Sequence, residues 1–139
     1  MKFGSLQYYC ESEGPIENFS PDLFHKDEVH KIAILDLRIL NLDRNECNIL
    51  VKTKINTRTG KRVKTLIPID HGLCIPDNLA VCSFDLAWLS WRQAELPFSG
   101  RTMRFIESID IMDDIKLLEN TFKFRPICLR NIRISSLLL

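Results

Sequence analysis

The side chains best suited to chemistry in this chain are two aspartates and an asparagine, Asp43, Asn48 and Asp70. Asp43 is followed at once by Arg44 and five residues later by Asn48, and Asp70 opens an Asp-x-Gly turn. Phosphotransferases space their catalytic loop and metal-binding turn in this way: one Asp orients the acceptor hydroxyl, while an Asn and a second Asp hold Mg²⁺ on the ATP phosphates. The spacing therefore predicts phosphoryl-transfer chemistry, on the condition that these oxygen-bearing side chains meet.

A β-hairpin between Asn48 and Asp70 would bring those side chains together. Residues 48–55 and 63–69 are predicted as strands, and residues 56–61, which include a glycine, as the turn that joins them. Because the two ends of a hairpin lie side by side, the sequence predicts that Asn48 and Asp70 are neighbours.

Helices are predicted on both sides of the hairpin. Residues 26–41 carry apolar side chains at helical spacing almost all round, which is typical of a buried central helix. Further predicted helices are a short one that contains Trp88 and Trp91 and three longer ones over 100–109, 111–122 and 124–139. Candidate N-caps precede the helices: Ser20 or Asp22, Ser83 or Asp85, Ser99, and Asp110. For the two tryptophans we favour core packing over contact with a membrane or substrate.

Size, charge and hydropathy exclude several classes of protein. The chain has 139 residues with 19 basic and 18 acidic side chains, so the balance gives no preference for nucleic acid. No secretory signal and no apolar run of the ~20 residues that span a bilayer is present, and we expect a cytoplasmic chain without a transmembrane segment. Five cysteines without a C-x-x-C pair favour reduced thiols over disulfides or zinc. His25 and His30 are expected to be surface or packing residues, since their spacing puts them on different helix faces.

The predicted hairpin is strongly basic. Residues 52–64 contain no acid and the following cations: Lys52, Lys54, Arg58, Lys61, Arg62 and Lys64. We favour a solvated hairpin face, because exposed hairpins are commonly basic and polar. The alternative is contact with an anionic membrane or lipid headgroup.

Several longer motifs occur in a fixed order along the chain. They are residues 29–38, Asp43-Arg44 with Asn48-Ile49-Leu50-Val51, and Ile67-Pro68-Ile69-Asp70-His71-Gly72. In this order they resemble the catalytic domain of the phosphatidylinositol 3- and 4-kinase family. Residues 4–7, 88–94, 96–99 and 133–135 are similar to its plant-type branch, the gamma class of type II-like phosphatidylinositol 4-kinases.

The resemblance implies a fold and a set of roles. The fold would be α+β and mainly helical: the C-terminal lobe of a protein-kinase-like fold with a small catalytic β-hairpin, forming part of the catalytic domain over residues 1–139. Asp43 would orient the inositol hydroxyl for attack on the γ-phosphate of ATP, and Arg44 would support the loop. Asn48 and Asp70 would coordinate Mg²⁺. The implied partners are ATP and phosphatidylinositol, reached by peripheral contact with a membrane surface.

Two departures from the family pattern stand out. Asn45-Glu46-Cys47 replaces a His and small residues, which removes a candidate proton carrier or γ-phosphate contact and adds negative charge. The nucleotide-binding small lobe of the family should precede Gly4, yet we find neither its glycine-rich loop nor its strand-borne lysine. We therefore expect little or no activity from the isolated chain.

Three alternatives remain open. The chain could be a non-catalytic pseudokinase or interaction module, which the replaced loop residues and the expected lack of a small lobe favour. It could phosphorylate Ser or Thr in proteins, because the metal-binding residues would be shared. Finally, Asp43 and Asn48 could simply form a polar turn at the end of a helix.

Overall fold

The computed structural model describes residues 8–79 and 84–139, which form a mixed fold of helices and small sheets. Its strands are β1 (Gly14–Pro15), β2 (Asp43–Arg44), β3 (Ile49–Ile55), β4 (Arg62–Pro68) and β5 (Asp85–Leu86). Its α-helices are α1 (Lys26–Ile39), α2 (Gly100–Glu107), α3 (Ile111–Phe122) and α4 (Pro126–Ser136). Short 3-10 helices span Ile16–Asn18, Pro21–Leu23, Glu46–Asn48, Ala87–Ser90 and Arg92–Glu95. The predicted combination of helix and sheet is confirmed, whereas the motif at residues 4–7, Cys82 and the candidate cap Ser83 lie outside the described residues.

The hairpin forms where the sequence predicts it, between β3 and β4. The two strands pair antiparallel from Ile49 opposite Pro68 to Ile55 opposite Arg62. The turn closes because Asn56 N–H donates to the Lys61 carbonyl at 2.8 Å, with Gly60 at a φ of 66°. At the other end the Ile69 N–H donates to the carbonyl of Asn48 at 3.0 Å. The hairpin therefore places the residue before β3 beside the residues that follow β4.

The basic side chains of the hairpin are not all equivalent. Lys64 Nζ lies 2.7 Å from Glu13 Oε2 and 5.0 Å from the centre of the Phe19 ring. Its hydrogen bond lowers the pKa of the Glu13 carboxyl. The exposed cations are Lys54, Arg58, Lys61 and Arg62. The solvated face that the sequence favours stays a prediction, as does its alternative of membrane contact.

Helix α1 is the buried centre of the fold, as its apolar pattern predicts. Val29, Ile32 and Ile34 are at most 2% exposed, and the helix contacts β4, α2 and α4. Ser20 caps a helix as predicted, but that helix is the short Pro21–Leu23. The N-cap of α1 is instead His25, whose Nδ1 accepts from the Asp27 N–H at 3.2 Å. His25 is exposed, in agreement with the predicted surface position.

Both tryptophans pack in the core, which confirms the interpretation that we favoured. Trp88 is 6% exposed and Trp91 4%, and they join a cluster that includes Ile32 and Ile49. Two 3-10 helices replace the single short helix that was predicted around them. His30 packs nearby: its Nε2 lies 2.8 Å from the Gln93 carbonyl, and its ring meets Phe98 edge-on.

The three C-terminal helices lie close to their predicted bounds. Ser99 and Asp110 are the N-caps of α2 and α3, as predicted. Arg38 binds the Asp114 carboxylate with two hydrogen bonds and so joins α1 to α3. The Ser135 hydroxyl donates to the Leu37 carbonyl, which joins α4 to α1. Within the described residues, every helix is too short or too polar to cross a bilayer.

Candidate active site

An open cleft of about 760 Å³ lies at the base of the hairpin. Its lining residues are Asp43, Asn45, Glu46, Cys47, Asn48, Asp70, Asp85, Ala87 and Ser90. The structure thus brings together Asp43, Asn48 and Asp70, which the sequence placed in one site. Arg44 does not line the cleft but lies beneath it, with 0% exposure.

The segment from Asp43 to Asn48 holds these two side chains against each other. Asp43 lies in β2, which pairs parallel with β5 so that Asp43 is opposite Asp85. Asn48 Nδ2 donates to the Asp43 carbonyl at 2.9 Å and lies 3.5 Å from its Oδ2. Asn48 Oδ1 accepts no hydrogen bond from the part of the chain that the structure describes. The amide oxygen therefore remains as a possible ligand for a cation.

Asn45, Glu46 and Cys47 of the loop have structural roles of their own. Asn45 Oδ1 accepts from the Cys47 N–H at 3.0 Å and caps the 3-10 helix Glu46–Asn48. Its Nδ2 donates to Asp43 Oδ1 at 2.8 Å. Glu46 is exposed on the rim and adds a negative charge to the cleft. Asn45 therefore helps to orient Asp43, although it cannot carry a proton as a histidine could.

Asp70 occupies an unusual backbone conformation. Its φ is 48°, in the left-handed region that residues with a Cβ adopt at a cost of about 1–2 kcal/mol. Its Oδ1 accepts the Gly72 N–H at 3.1 Å, and a Cβ on Gly72 would come within 3.2 Å of that same oxygen. Gly72 thus permits the tight turn that directs Asp70 into the cleft. Such strain is often found at functional sites.

Arg44 links the loop to the turn through hydrogen bonds of its buried guanidinium. Its Nη1 donates to the carbonyls of Asn48, at 3.0 Å, and Ile69. Its Nε donates to the buried Asp36 carboxylate at 3.1 Å and 3.3 Å from the two oxygens. A buried guanidinium needs such a carboxylate, because removing an unpaired charge from water is costly. In this position Arg44 can orient Asn48 and the residue before Asp70, but its own side chain does not line the cleft.

Sequence reasoning missed Asp36 as a site residue. Its side chain is fully buried, and it accepts from Asn41 Nδ2 and Trp88 Nε1, both at 2.9 Å, as well as from Arg44. A signal for it is present in the sequence: an aspartate on a helix that is apolar all round must have a buried polar partner. The arginine eight residues later is a candidate partner that pattern analysis alone does not single out.

Burial and charge set the protonation of the side chains around the cleft. Two effects lower the pKa of His71: partial burial, which is the larger, and the positive charge of Arg44. The Nδ1 of His71 lies 3.0 Å from Arg44 Nη2 and accepts a hydrogen bond from it when the imidazole is neutral. The Cys47 thiol donates to Glu17 Oε2 at 3.4 Å, and this contact raises its pKa. Burial raises the pKa of Cys74 to about 11. Both thiols therefore stay protonated at neutral pH and are poor nucleophiles.

The donor atoms of the cleft fit magnesium held jointly by protein and nucleotide. Within residues 8–79 and 84–139, no three His, Cys, Asp or Glu side chains form a metal site by themselves. Mg²⁺ in phosphoryl-transfer enzymes, however, usually takes one or two protein carboxylates and completes its shell with phosphate oxygens and water. Asp70 and the free Asn48 Oδ1 are oxygen ligands of that kind. A sulfur or imidazole ligand, which would favour zinc or copper, is not needed.

Known proteins of one family match almost the whole chain. A family model for phosphatidylinositol 3- and 4-kinase matches residues 1–136. Phosphatidylinositol 4-kinase gamma 4 of Arabidopsis thaliana is 43% identical over 139 residues, which cover 99% of this chain and 23% of the relative. Phosphatidylinositol 4-kinase gamma 2 of the same plant is 42% identical over 99% of this chain and 24% of the relative. Phosphatidylinositol 4-kinase gamma 4 of Oryza sativa subsp. japonica is 43% identical over 99% of this chain and 23% of the relative.

These matches confirm the family resemblance of the sequence motifs. The chain spans less than a quarter of the length of the curated relatives it matches. The cleft with its Asp-Arg loop and Asp-His-Gly turn lies within the matched residues. The chain belongs to the phosphatidylinositol 3- and 4-kinase family.

Proposed function

We propose that this chain provides the catalytic loop and the metal-binding turn of an ATP-dependent phosphatidylinositol 4-kinase. The observation that carries the proposal is the convergence of Asp43, Asn48 and Asp70 on one cleft at the base of the β3–β4 hairpin. The names of the relatives support the lipid substrate and the position of transfer. The order of α1, hairpin and further helices supports an assignment to the C-terminal lobe of a kinase-like domain, spanning residues 1–139.

In this proposal each side chain has one task. Asp43 accepts a hydrogen bond from the 4-hydroxyl of the inositol ring and orients its oxygen towards the γ-phosphate of ATP. Asn48 and Asp70 would hold Mg²⁺, and the bound ion would offset the negative charge that develops on the transferred phosphoryl group. Arg44 keeps the loop and the turn at a fixed separation. The 4-hydroxyl oxygen forms the new bond to phosphorus, the bond to the bridging oxygen of ADP breaks, and the hydroxyl proton leaves by way of Asp43.

The lipid substrate requires the chain to work at a membrane surface. We propose peripheral contact from the cytoplasmic side, which the exposed cations of the hairpin would favour when the surface is anionic.

A metal titration tests the proposed ligands without requiring activity. Mn²⁺ added to the ¹⁵N-labelled chain should broaden the amide resonances around Asn48 and Asp70, and Asp70→Asn should weaken this binding at least tenfold. Asp22→Asn is the matched control, because Asp22 is exposed and distant in sequence from the cleft residues. Broadening that is unaffected by Asp70→Asn would contradict the proposed metal site and support the non-catalytic alternative.

A chimera tests the reaction itself. We expect that this chain, replacing the matching segment of Arabidopsis phosphatidylinositol 4-kinase gamma 4, supports transfer of ³²P from ATP to phosphatidylinositol in vesicles. Asp43→Asn should then lower kcat about 10²- to 10⁴-fold, the usual contribution of a general base. A folded chimera that labels only added protein would favour the protein kinase alternative, and one that labels neither acceptor would favour the interaction module.

A further inference from the structure

The two walls of the cleft share one buried carboxylate. We define the metal wall as Asn48 and Asp70, and the acceptor wall as β5 with the 3-10 helix Ala87–Ser90. Asp36 Oδ1 accepts from Arg44, and Asp36 Oδ2 accepts from Trp88 Nε1 at 2.9 Å. Arg44 also donates to the carbonyl of Asn48 in the metal wall, whereas Trp88 belongs to the acceptor wall. The side chain of Asp36 itself is fully buried and does not line the cleft.

The path from Asp36 to the metal wall is short and rigid. One step is the ion pair of Arg44 Nη2 with Asp36 Oδ1 at 3.0 Å, in which both side chains have no exposed surface. The next step is Nη1 of the same guanidinium, which donates to the carbonyls of Asn48 and Ile69. The donors of a guanidinium lie in one plane at fixed angles, so fixing its Nε edge on Asp36 also fixes the direction of Nη1.

The path to the acceptor wall runs through the indole of Trp88. This side chain is 6% exposed and lies in the same 3-10 helix as Ala87 and Ser90, which line the cleft. Immediately before this helix, Asp85 pairs with Asp43 across the parallel β2–β5 bridge. A shift of the indole would therefore move the cleft residues that follow Asp85, the partner of Asp43.

We propose that Asp36 is a positioning residue for phosphoryl transfer, which keeps the metal wall and the acceptor wall in register without touching metal or substrate. The inference rests on the metal role proposed for Asn48 and Asp70. Its physical basis is that Arg44 without Asp36 is an uncompensated buried charge, which would turn towards water or another acceptor and release the two carbonyls. Partners of metal ligands commonly change metal affinity 10- to 100-fold when they are removed.

The test measures Mn²⁺ affinity in the folded chain. Asp36→Asn keeps the shape of the side chain but loses its charge, and we expect the dissociation constant for Mn²⁺ to rise about 10- to 100-fold. Arg44→Lys keeps a positive charge opposite Asp36 but loses the planar set of donors, and it should weaken Mn²⁺ in the same way. If Asp36→Asn does not fold, the Mn²⁺ dissociation constant of Arg44→Lys tests whether the Asp36–Arg44 pair positions the metal wall.

A chemically matched control separates positioning from general destabilisation. Asp114→Asn removes the carboxylate of a second aspartate–arginine pair, which joins Asp114 of α3 to Arg38 of α1 away from the cleft. It should lower the melting temperature and leave the Mn²⁺ dissociation constant within twofold of wild type. Mn²⁺ binding by Asp36→Asn or Arg44→Lys that is as tight as in wild type would overturn the proposal.

A separate measurement tests whether Asp36 couples the metal wall to the acceptor wall. Trp88→Phe retains an aromatic ring but removes the indole N–H together with part of the ring system, so changes of the amide chemical shifts should extend from residues 85–90 to Asn48 and Asp70. Changes confined to residues 85–90 would show that the two walls are independent and would overturn the inference. These outcomes can be told apart from a failure of the proposed function. That failure would appear as unchanged Mn²⁺ binding in Asp70→Asn itself.

Discussion

His71 accepts a hydrogen bond from Arg44 only while its imidazole is neutral. Partial burial and the Arg44 charge lower its pKa in the folded state, so between that pKa and about 6.5 the unfolded chain binds more protons. The contribution of His71 to stability is therefore complete above pH 6.5 and declines as the pH falls through 6.5 towards the folded pKa. Acidification should also loosen the contact between Arg44 and the turn that carries Asp70.

Urea unfolding at pH 7.5, 6.5 and 5.5 checks this expectation. The free energy of unfolding of wild type should fall over this range more steeply than that of His71→Asn, whose side-chain oxygen can accept from Arg44 without titrating. Equal pH slopes for the two proteins would show that His71 is not coupled to Arg44 in the folded state.

Among single residues, the sequence predicts the side chains proposed for the chemistry better than the buried side chains that hold them in position. Asp43, Asn48 and Asp70 could be grouped in advance because their types and spacing suit phosphoryl transfer and a hairpin joins them. The part played by Asp36 could not be predicted in the same way, since its partners Arg44 and Trp88 are 8 and 52 positions away. Contacts of that kind depend on how α1 packs against later segments.

At the scale of single elements, local signals were the reliable ones. The hairpin and the N-caps of α2 and α3 follow from turn-forming and capping residues that act within a few positions. The pairing of β2 with β5 was missed, because each strand has two residues and their contact is non-local. The 3-10 geometry around Trp88 was also missed: burial of both indoles in the core overrides the local preference for one helix.

Removing the cap of α3 should destabilise the fold measurably. The carboxylate of Asp110 accepts from the N–H groups of Met112, at 2.9 Å, and Asp113, at 3.1 Å. Asp110→Ala leaves both donors without this partner and should lower the free energy of unfolding by about 1 kcal/mol. Glu119→Ala, an exposed position within the same helix, should change it by less than about 0.5 kcal/mol. Similar losses in the two variants would argue against the cap.

At the scale of the whole molecule, α1 connects the cleft to the rest of the fold. Its buried face packs with the tryptophans and the hairpin, and Ile132 and Leu129 of α4 are also buried. A core shared in this way predicts cooperative unfolding of the described fold. The metal wall should then be lost together with the C-terminal helices and not ahead of them.

Truncation of a central side chain tests this cooperativity. Ile32 is 0% exposed, and Ile32→Ala should lower the free energy of unfolding by about 2–5 kcal/mol. Leu117→Ala, at a position that is 55% exposed in α3, should have a much smaller effect. In both variants the unfolding curves from tryptophan fluorescence and far-ultraviolet circular dichroism should coincide. Separate transitions would show that α4 and the cleft unfold independently.

The left-handed backbone at Asp70 has opposite consequences for stability and for the proposed metal binding. Glycine tolerates this conformation without a Cβ penalty, so Asp70→Gly should raise the free energy of unfolding by about 1 kcal/mol while it abolishes Mn²⁺ binding. A library of variants selected for heat resistance alone should accordingly enrich glycine at position 70. The same library selected for retention of Mn²⁺ should keep aspartate there, at the expense of heat resistance.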